Sequence, residues 1–460
     1  MSSPMRTLST LAGALLLAGC SMMPRYERPT APVAPAFPYP SAQQGTPASE
    51  LAWDQFFADA RLRSLIAGAL RNNRDLRVAV LNIAQARAQY DIRNADRFPT
   101  VGAGLNATRS PDTQGNQATT LQANVAFSSW ELDFFGRIAS LSEAALEQYL
   151  ATEEGRKAAQ VTLVASVANT WLNLAADEEL LALTRQTLAT REETLRLTRM
   201  RFEAGASSEI DFRLAQSLFE TARATLAQVQ RQRAIDLNAL ALLVGEPVAP
   251  DFQVGITTEG VQLPDVPAGL PSEVLVRRPD VRQAEQQLVA ANANIGAARA
   301  AFFPRISLTA GIGTASRDLA GLFTGGSWGY TVAPSLLQPI FDAGRNRAGL
   351  ASAEASRDVA VAQYERAVQQ AFRDVADALA GRATYGDQVQ AQANVVEAES
   401  VRYRLARLRY DNGVASYLDL LDAQRSLFTA QQALVQTRLA RLQNQVQLYR
   451  SLGGGWTENN

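Results

Sequence analysis

One run of this sequence is written twice, and that constrains the fold more than any other feature. Asn73-Arg74-Asp75-Leu76-Arg77 recurs as Arg278-Pro279-Asp280-Val281-Arg282, and Phe98-Pro99 recurs as Phe303-Pro304. Both copies lie 205 positions on. Beyond them the offset is 208. It relates Phe135-Gly136-Arg137 to Ala343-Gly344-Arg345, and Arg201-Phe202-Glu203-Ala204-Gly205 to Arg409-Tyr410-Asp411-Asn412-Gly413. Leu243-Val244-Gly245 matches Ser451-Leu452-Gly453 at the same distance. Ordered landmarks at a near-constant offset mark an internal two-fold repeat. We read residues 51–260 and 261–455 as its two copies, with 456–460 as a tail.

Each copy reads helix, strand, strand, very long helix, glycine turn, long helix. The first helices run over 74–98 and 280–303, ended by Pro99 and Pro304. The long helices run over about 137–203 and 345–411 without a proline, ~100 Å each at 1.5 Å per residue. Apolar residues step by threes and fours at Val161, Val164, Ala168, Trp171 and Ala175, and at Val361, Tyr364, Val368, Ala371, Val375 and Ala378. Return helices follow over 208–244 and 416–452. The second keeps a seven-residue spacing at Leu421, Phe428, Val435, Leu442 and Tyr449, as coiled coils do. Gly381 and Gly386 interrupt the second long helix near its middle, which predicts a change of packing there.

The strands, about 100–109, 119–131, 304–316 and 328–340, alternate apolar with small or polar residues. Val101, Ala103, Leu105 and Ala107 do so, and Ile306, Leu308, Ala310 and Ile312 repeat it. Their length suits tilted membrane-spanning strands of ~9–11 residues. Trp130, Phe134, Phe135, Trp328 and Phe341 gather near strand ends, as an aromatic girdle would. A soluble four-stranded sheet is the other reading. Four strands cannot cross a membrane alone, because their edges would leave backbone groups unpaired in lipid. Three copies would close twelve strands around a water-filled pore, whereas eight would be filled by side chains.

Composition removes most catalytic chemistry. There is no histidine, so Ser-His-Asp triads, His-ligated zinc and histidine switches are excluded. A net charge of -1 gives no field toward nucleic acid. The single cysteine, Cys20, excludes disulfides within the chain and thiolate clusters. No metal site, cofactor or enzyme activity is expected. With Met200 the only methionine beyond the first 23 residues, nothing favours a dedicated copper or silver path.

Residues 1–19 read as a secretory signal: Arg6, then a short apolar run from Leu8 to Gly19. Leu17-Ala18-Gly19-Cys20 resembles a bacterial lipobox, in which the cysteine carries lipid and becomes the new N-terminus. An ordinary signal peptide is the alternative. Residues 20–50, rich in proline, read as a lipidated N-terminus and extended tether.

Taken together, the chain resembles the outer membrane factors of tripartite efflux pumps, the TolC type, and within it the lipoprotein OprM-like branch. The resemblance rests on the lipobox at Cys20, on Trp130-Glu131-Leu132-Asp133-Phe134-Phe135-Gly136-Arg137, and on Pro339-Ile340-Phe341-Asp342-Ala343-Gly344-Arg345. Tyr417-Leu418-Asp419-Leu420-Leu421-Asp422-Ala423-Gln424 and Leu452-Gly453-Gly454-Gly455-Trp456 also carry it. It implies a mixed α and β membrane protein: a homotrimer with a 12-stranded transmembrane barrel, four strands per chain, continuous with a periplasmic α-helical barrel. Such a protein is an exit duct for drugs or other small toxic compounds, served by a periplasmic adaptor and an inner-membrane transporter of the RND type. It is held in outer membrane lipid. A periplasmic coiled-coil adaptor or a structural envelope lipoprotein is the competing class.

The resemblance also assigns sites. Turn residues Gly205, Ala206, Ser207, Gly413, Val414 and Ala415 would accept adaptor hairpins, each flanked by Arg-x-Arg-aromatic. Asp419 and Asp422, three apart and so on one helix face, would form carboxylate rings beside Leu418 at a periplasmic gate; a solvated acidic face is the plainer reading. Tyr410 matches the family's latch tyrosine and Asp211 its aspartate partner. The latch arginine falls at Ala415, so that link is either missing or rerouted through Arg409.

Overall fold

The structure, a computed structural model, describes residues 21–39, 46–111, 115–269, 271 and 275–456. The signal segment 1–19, Cys20 and residues 457–460 lie outside the described residues. The helices are α1 (Trp53–Phe56), α2 (Ala60–Asn72), α3 (Arg74–Ala95), α4 (Arg137–Glu203), α5 (Glu209–Val244), α6 (Pro279–Ala300), α7 (Arg345–Asp411) and α8 (Tyr417–Ser451). The strands are β1 (Gly102–Pro111), β2 (Gln117–Leu132), β3 (Arg305–Ser316) and β4 (Trp328–Leu337). None of the described helices is long and apolar enough to cross a membrane.

Both 67-residue helices, α4 and α7, keep the expected limits. Their starts are fixed by aspartates: Asp133 Oδ2 accepts from Ala139 N–H at 2.7 Å and Asp342 Oδ2 from Asn346 N–H at 2.9 Å. Negative oxygen at a helix N-terminus satisfies orphan donors and the dipole together. Three expectations need correction. α3 and α6 end at Ala95 and Ala300, a few residues before the prolines, because the residue preceding proline disfavours helix. Helix α2 was unforeseen. Third, α7 is not interrupted at Gly381 or Gly386. Gly381 instead lets α8 approach: a Cβ there would fall 2.2 Å from Asn444 Oδ1, whose amide donates to Ala378 O at 2.9 Å.

The chain divides into two compact units. The first takes the chain up to Thr30, Leu81–Glu153 and Gln283–Arg366. It holds one antiparallel sheet in the order β1-β2-β3-β4. The pairing register puts Leu105 opposite Ala123, Val125 opposite Ile312, and Ile312 opposite Tyr330. Successive residues face opposite sides, so one face carries Leu105, Val125, Ile312, Tyr330, Val332 and Leu336. Every one of these is exposed, Tyr330 and Leu105 to 83% and 80%. The other face carries Asn106, Asn124, Gln122, Thr331, Gly311 and Gly313. A Cβ at Gly311 or Gly313 would come within 2.5 Å of β2, so small residues mark the crowded side. Among the described residues, β1 and β4 have no partner on their outer edges. A bulge at Phe127/Trp130, with Ser129 at φ 54, sharpens the twist.

The second unit takes Ala31–Val80, Glu154–Arg282 and Ala367–Asn460. Its core contains Trp171, Leu240, Leu379, Val446 and the α2 residues Leu62, Ile66 and Ala69. Tyr449 stacks on Phe56 at 3.9 Å between ring centroids and donates to Leu51 O at 2.6 Å. Two related ties close the bundle. Asn73 donates to Leu243 O at 2.9 Å, and Arg278 donates to Ser451 O at 2.8 Å. Arg278 is buried, but Asp280 at 2.6 Å and Asp374 at 3.5 Å compensate its charge.

Candidate functional site

The two hairpin ends, where α4 meets α5 and α7 meets α8, are built on one plan. Gly205 and Gly413 have φ 70 and 73, the left-handed conformation glycine adopts freely. Ala206 N–H donates to Arg201 O at 2.7 Å, and Val414 N–H to Arg409 O at 2.9 Å. With Gly205 and Gly413 bonded back to Phe202 and Tyr410, both are Schellman endings. Ser208 and Ser416 then cap α5 and α8. Each hydroxyl accepts from the backbone N–H of Asp211 or Asp419, and each aspartate accepts from the serine's N–H. These are capping boxes with aspartate at the third helical position.

That plan revises the role expected of the acidic pair. Asp419 turns back onto Ser416 (Oγ to Oδ2 2.9 Å), whereas Asp422 pairs with Arg402 of α7 and, at 2.7 Å, with Arg425. They do not present a matched pair of free carboxylates. The Arg402 hydrogen bond, helped by Arg425, holds the Asp422 carboxyl below the usual range. Leu418 and Val414 are 59% and 65% exposed at this end.

Tyr410 is engaged, though not by the expected partners. Its hydroxyl accepts from Arg201 Nη1 at 2.6 Å, a bond from one hairpin to the other. Neither Asp211, held in its own cap, nor Arg409 makes that bond. Tyr410 packs on Tyr417 at 5.4 Å, and Tyr417 faces the Thr198 hydroxyl at 3.4 Å. Burial pushes the Tyr417 hydroxyl up to about 12, so it stays neutral and accepts from Thr198. A groove of about 450 Å³ opens here, lined by Thr198, Arg201, Tyr403, Arg407, Tyr410 and Tyr417. At the first hairpin, Phe202 stacks on Phe212 at 5.6 Å, with Arg199 and Arg213 over the Phe212 ring.

The sequence reading missed Arg201 and Arg402 as partners of Tyr410 and Asp422. The shared Arg-x-Arg-aromatic pattern was the available signal for the first. Leu418, Asp419, Asp422, Tyr410 and Asp211, the residues the resemblance assigns to a gate, lie on the hairpin ends or the adjoining turns of helix. Among the described residues, no group of three or more acidic or cysteine side chains could hold a metal.

Known proteins match this architecture over its length. The family model described as "Outer membrane efflux protein" matches residues 65–246 and 270–454. The chain is 46% identical over 463 residues to the antibiotic efflux pump outer membrane protein ArpC of Pseudomonas putida, covering 98% of this chain and 96% of that one. Identity and coverage are the same for a toluene efflux pump outer membrane protein, TtgC, also of Pseudomonas putida. Among solved structures, the open state of the Neisseria gonorrhoeae MtrE outer membrane channel superposes with a TM-score of 0.88 at 42% identity, covering 95% of this chain and 98% of that one. By fold, by sequence and by the extent of the match, this chain belongs to the outer membrane efflux protein family.

Proposed function

We propose that three copies of this chain form the outer-membrane exit duct of a tripartite efflux pump of the RND type. The observation that carries this reading is the sheet: two edges unpaired among the described residues, one apolar face whose Leu105, Val125, Ile312, Tyr330, Val332 and Leu336 are exposed, and one small, polar face. Neither lipid nor water accommodates it as it stands. Joining β4 of one copy to β1 of the next removes every edge, turns the apolar face to lipid and lines a twelve-stranded pore with polar residues. The paired long helices of the three copies then form the periplasmic barrel, and the two-fold sequence repeat supplies equivalent hairpins around it.

Conduction is passive. The relatives named for antibiotics and toluene support a cargo of drugs, solvents and similar small toxic compounds. The turns Gly205-Ala206-Ser207 and Gly413-Val414-Ala415 accept hairpins of a periplasmic adaptor, which links the duct to its inner-membrane transporter. Leu418 and Asp419 narrow the entrance, while Tyr410–Arg201 and Asp422–Arg402 hold its helices closed. Asp211 supports this end through its cap, and Arg409 adds positive charge beside the turn. Cys20 carries acyl chains in the outer membrane. The test is single-channel recording of the purified protein in a planar bilayer. Discrete conductance steps from a three-chain particle are expected, and a protein without steps would overturn the reading.

A further inference from the structure

The loop from β3 to β4, residues 317–327, is folded back over one face of the sheet. Successive strand residues alternate in face, so Thr314 and Ser316 stand on the apolar face with Ile312, as Trp328 does with Tyr330. Both β3 side chains meet the loop. Thr314 Oγ1 donates to Leu322 O, and both residues are buried. At Gly321 a Cβ would sit 2.5 Å from Ser316 Oγ. The loop is also pinned internally. Gly321 N–H donates to Asp318 Oδ1 at 2.6 Å, Thr324 hydroxyl to Gly321 O at 2.9 Å and Ser327 hydroxyl to Leu322 O at 3.1 Å. With its backbone so held, the loop leaves Leu319 and Phe323 75% and 65% exposed. Positive charge lies along the same rim, the sheet end that carries the β1–β2 and β3–β4 connections. Arg109 shares the apolar face of β1 with Leu105 and pairs with Thr119, two residues nearer the rim than the Leu121–Ser316 pair. β1 and β3 flank β2 and so lie ~10 Å apart at ~4.8 Å per strand. That brings Arg109 and Arg317 to one stretch of rim. Both are exposed, and among the described residues neither pairs with a carboxylate.

We propose that the β3–β4 loop is a lipid-binding foot of the barrel. Leu319 and Phe323 enter the outer leaflet beside Trp328, and Arg317 with Arg109 take the phosphate of a phosphorylated lipid headgroup. This rests on the reading of the apolar face as the one turned to lipid. A loop standing up from the rim, or folded over the polar face, would meet water. This loop is held on the side where acyl chains lie. Trp328, itself exposed on that face, marks the depth, because an indole at the end of a membrane-spanning strand sits at headgroup level. Arginine suits the polar part of the site, since its planar guanidinium grips phosphate oxygens in pairs. The one acid of the loop, Asp318, is taken up by Gly321 N–H and leaves the positive charge in place. The ligand therefore needs both parts. Free phosphate offers nothing to Leu319 and Phe323, and a zwitterionic lipid brings a phosphate already paired with its own cation.

The test is native mass spectrometry of the full-length trimer in detergent, titrated with dioleoyl phosphatidic acid or with dioleoyl phosphatidylcholine as the probe lipid. Wild type should retain phosphatidic acid in preference, up to one molecule per chain. Arg109→Ala with Arg317→Ala should lower that retention about tenfold or more at unchanged particle mass, since each arginine near an anionic lipid surface contributes roughly a factor of five. Leu319→Ser with Phe323→Ser should lower it several-fold, and inorganic phosphate at equal concentration should not displace the lipid. Equal retention of the two lipids by wild type would overturn the foot, as would equal retention of phosphatidic acid by wild type and the arginine variant. Displacement by inorganic phosphate, with the serine variant binding like wild type, would make this a free-anion site and overturn lipid binding. A wild-type particle of other than three chains would remove the barrel reading and the foot with it, whereas the other results strike the foot alone.

Discussion

The two hairpin ends share a backbone and differ in what they hold. Each has a Schellman glycine, a serine cap and an aspartate returning to it, and each element lies 208 residues from its counterpart. In the first, Phe202, Phe212, Arg199 and Arg213 make a local aromatic and cationic stack. In the second, Tyr410 replaces Phe202, and Arg402 and Asp422 stand where the first has Thr194 and Leu214. Ion pair and hydroxyl bond then tie neighbouring helices together. The second hairpin thus ties its own two helices by an ion pair and accepts a hydrogen bond from Arg201 of the first. The difference teaches that the common scaffold builds the end, while departures from it set which contacts the two copies do not share.

The same contrast occurs midway along the long helices. Asp177 of α4 is buried beside Asp236 of α5, and that burial, with Asp236 next to it, pushes its carboxyl up to about 7. Arg233 nearby opposes the shift, and Glu178 adds to it. The position related to Asp236 in the second copy is Asn444, a neutral amide bonded to Ala378 O. One copy thus retains a titratable contact where the other has a fixed one.

Converting the second hairpin toward the first should have the largest effect. Arg402→Thr with Asp422→Leu removes the α7–α8 tie, and resting single-channel conductance should rise roughly tenfold or more with the trimer intact. Unchanged conductance would place the latch elsewhere. Next comes Asp177→Asn. The folded chain retains this proton where the unfolded chain, with an ordinary aspartate near 4, has lost it. Stability therefore falls as pH rises from ~4 to ~7. Asparagine should flatten that slope and stabilise the protein by about 1–2 kcal/mol at pH 8, read from thermal unfolding across pH. An Asn variant with the wild-type slope would refute the assignment.

Smaller effects test the shared scaffold. Ser208→Ala and Ser416→Ala should each cost about 1 kcal/mol, and the two should match within a few tenths because the caps are the same. Asp419→Ala should cost a comparable amount through the cap. Tyr410→Phe, which makes that position resemble its first-copy counterpart, should cost only about 0.5–1.5 kcal/mol and free Arg201. Hydrogen exchange at the two turns would show whether the first hairpin stays protected while the second loosens.

Much of the fold was legible because it depends on local patterning. Proline-free stretches with three-four stripes gave both long helices to the residue, and alternation located all four strands. Helix α2 escaped although Asp59 caps it, accepting from Arg61 and Leu62 N–H at 2.8 and 3.0 Å, and Leu62, Ile66 and Ala69 form its buried stripe. Its counterpart region contains Pro264, Pro267 and Pro271, so the repeat could not signal it. At the site, Ser-x-x-Asp was a readable capping signal. Tyr410 with Arg201, by contrast, depends on how two hairpins pack. Nothing in the spacing of residues 209 positions apart specifies that contact.

Closure of the barrel by three copies is the central claim, and its most direct measurement is covalent capture across the β4–β1 seam. Single cysteines placed at Ala103, Leu105 or Ala107, each combined with Val332→Cys, should under oxidation give a ladder that stops at three chains for at least one register. Bands ending at two, a ladder running past three, or no cross-linking in any register would contradict a closed twelve-stranded barrel.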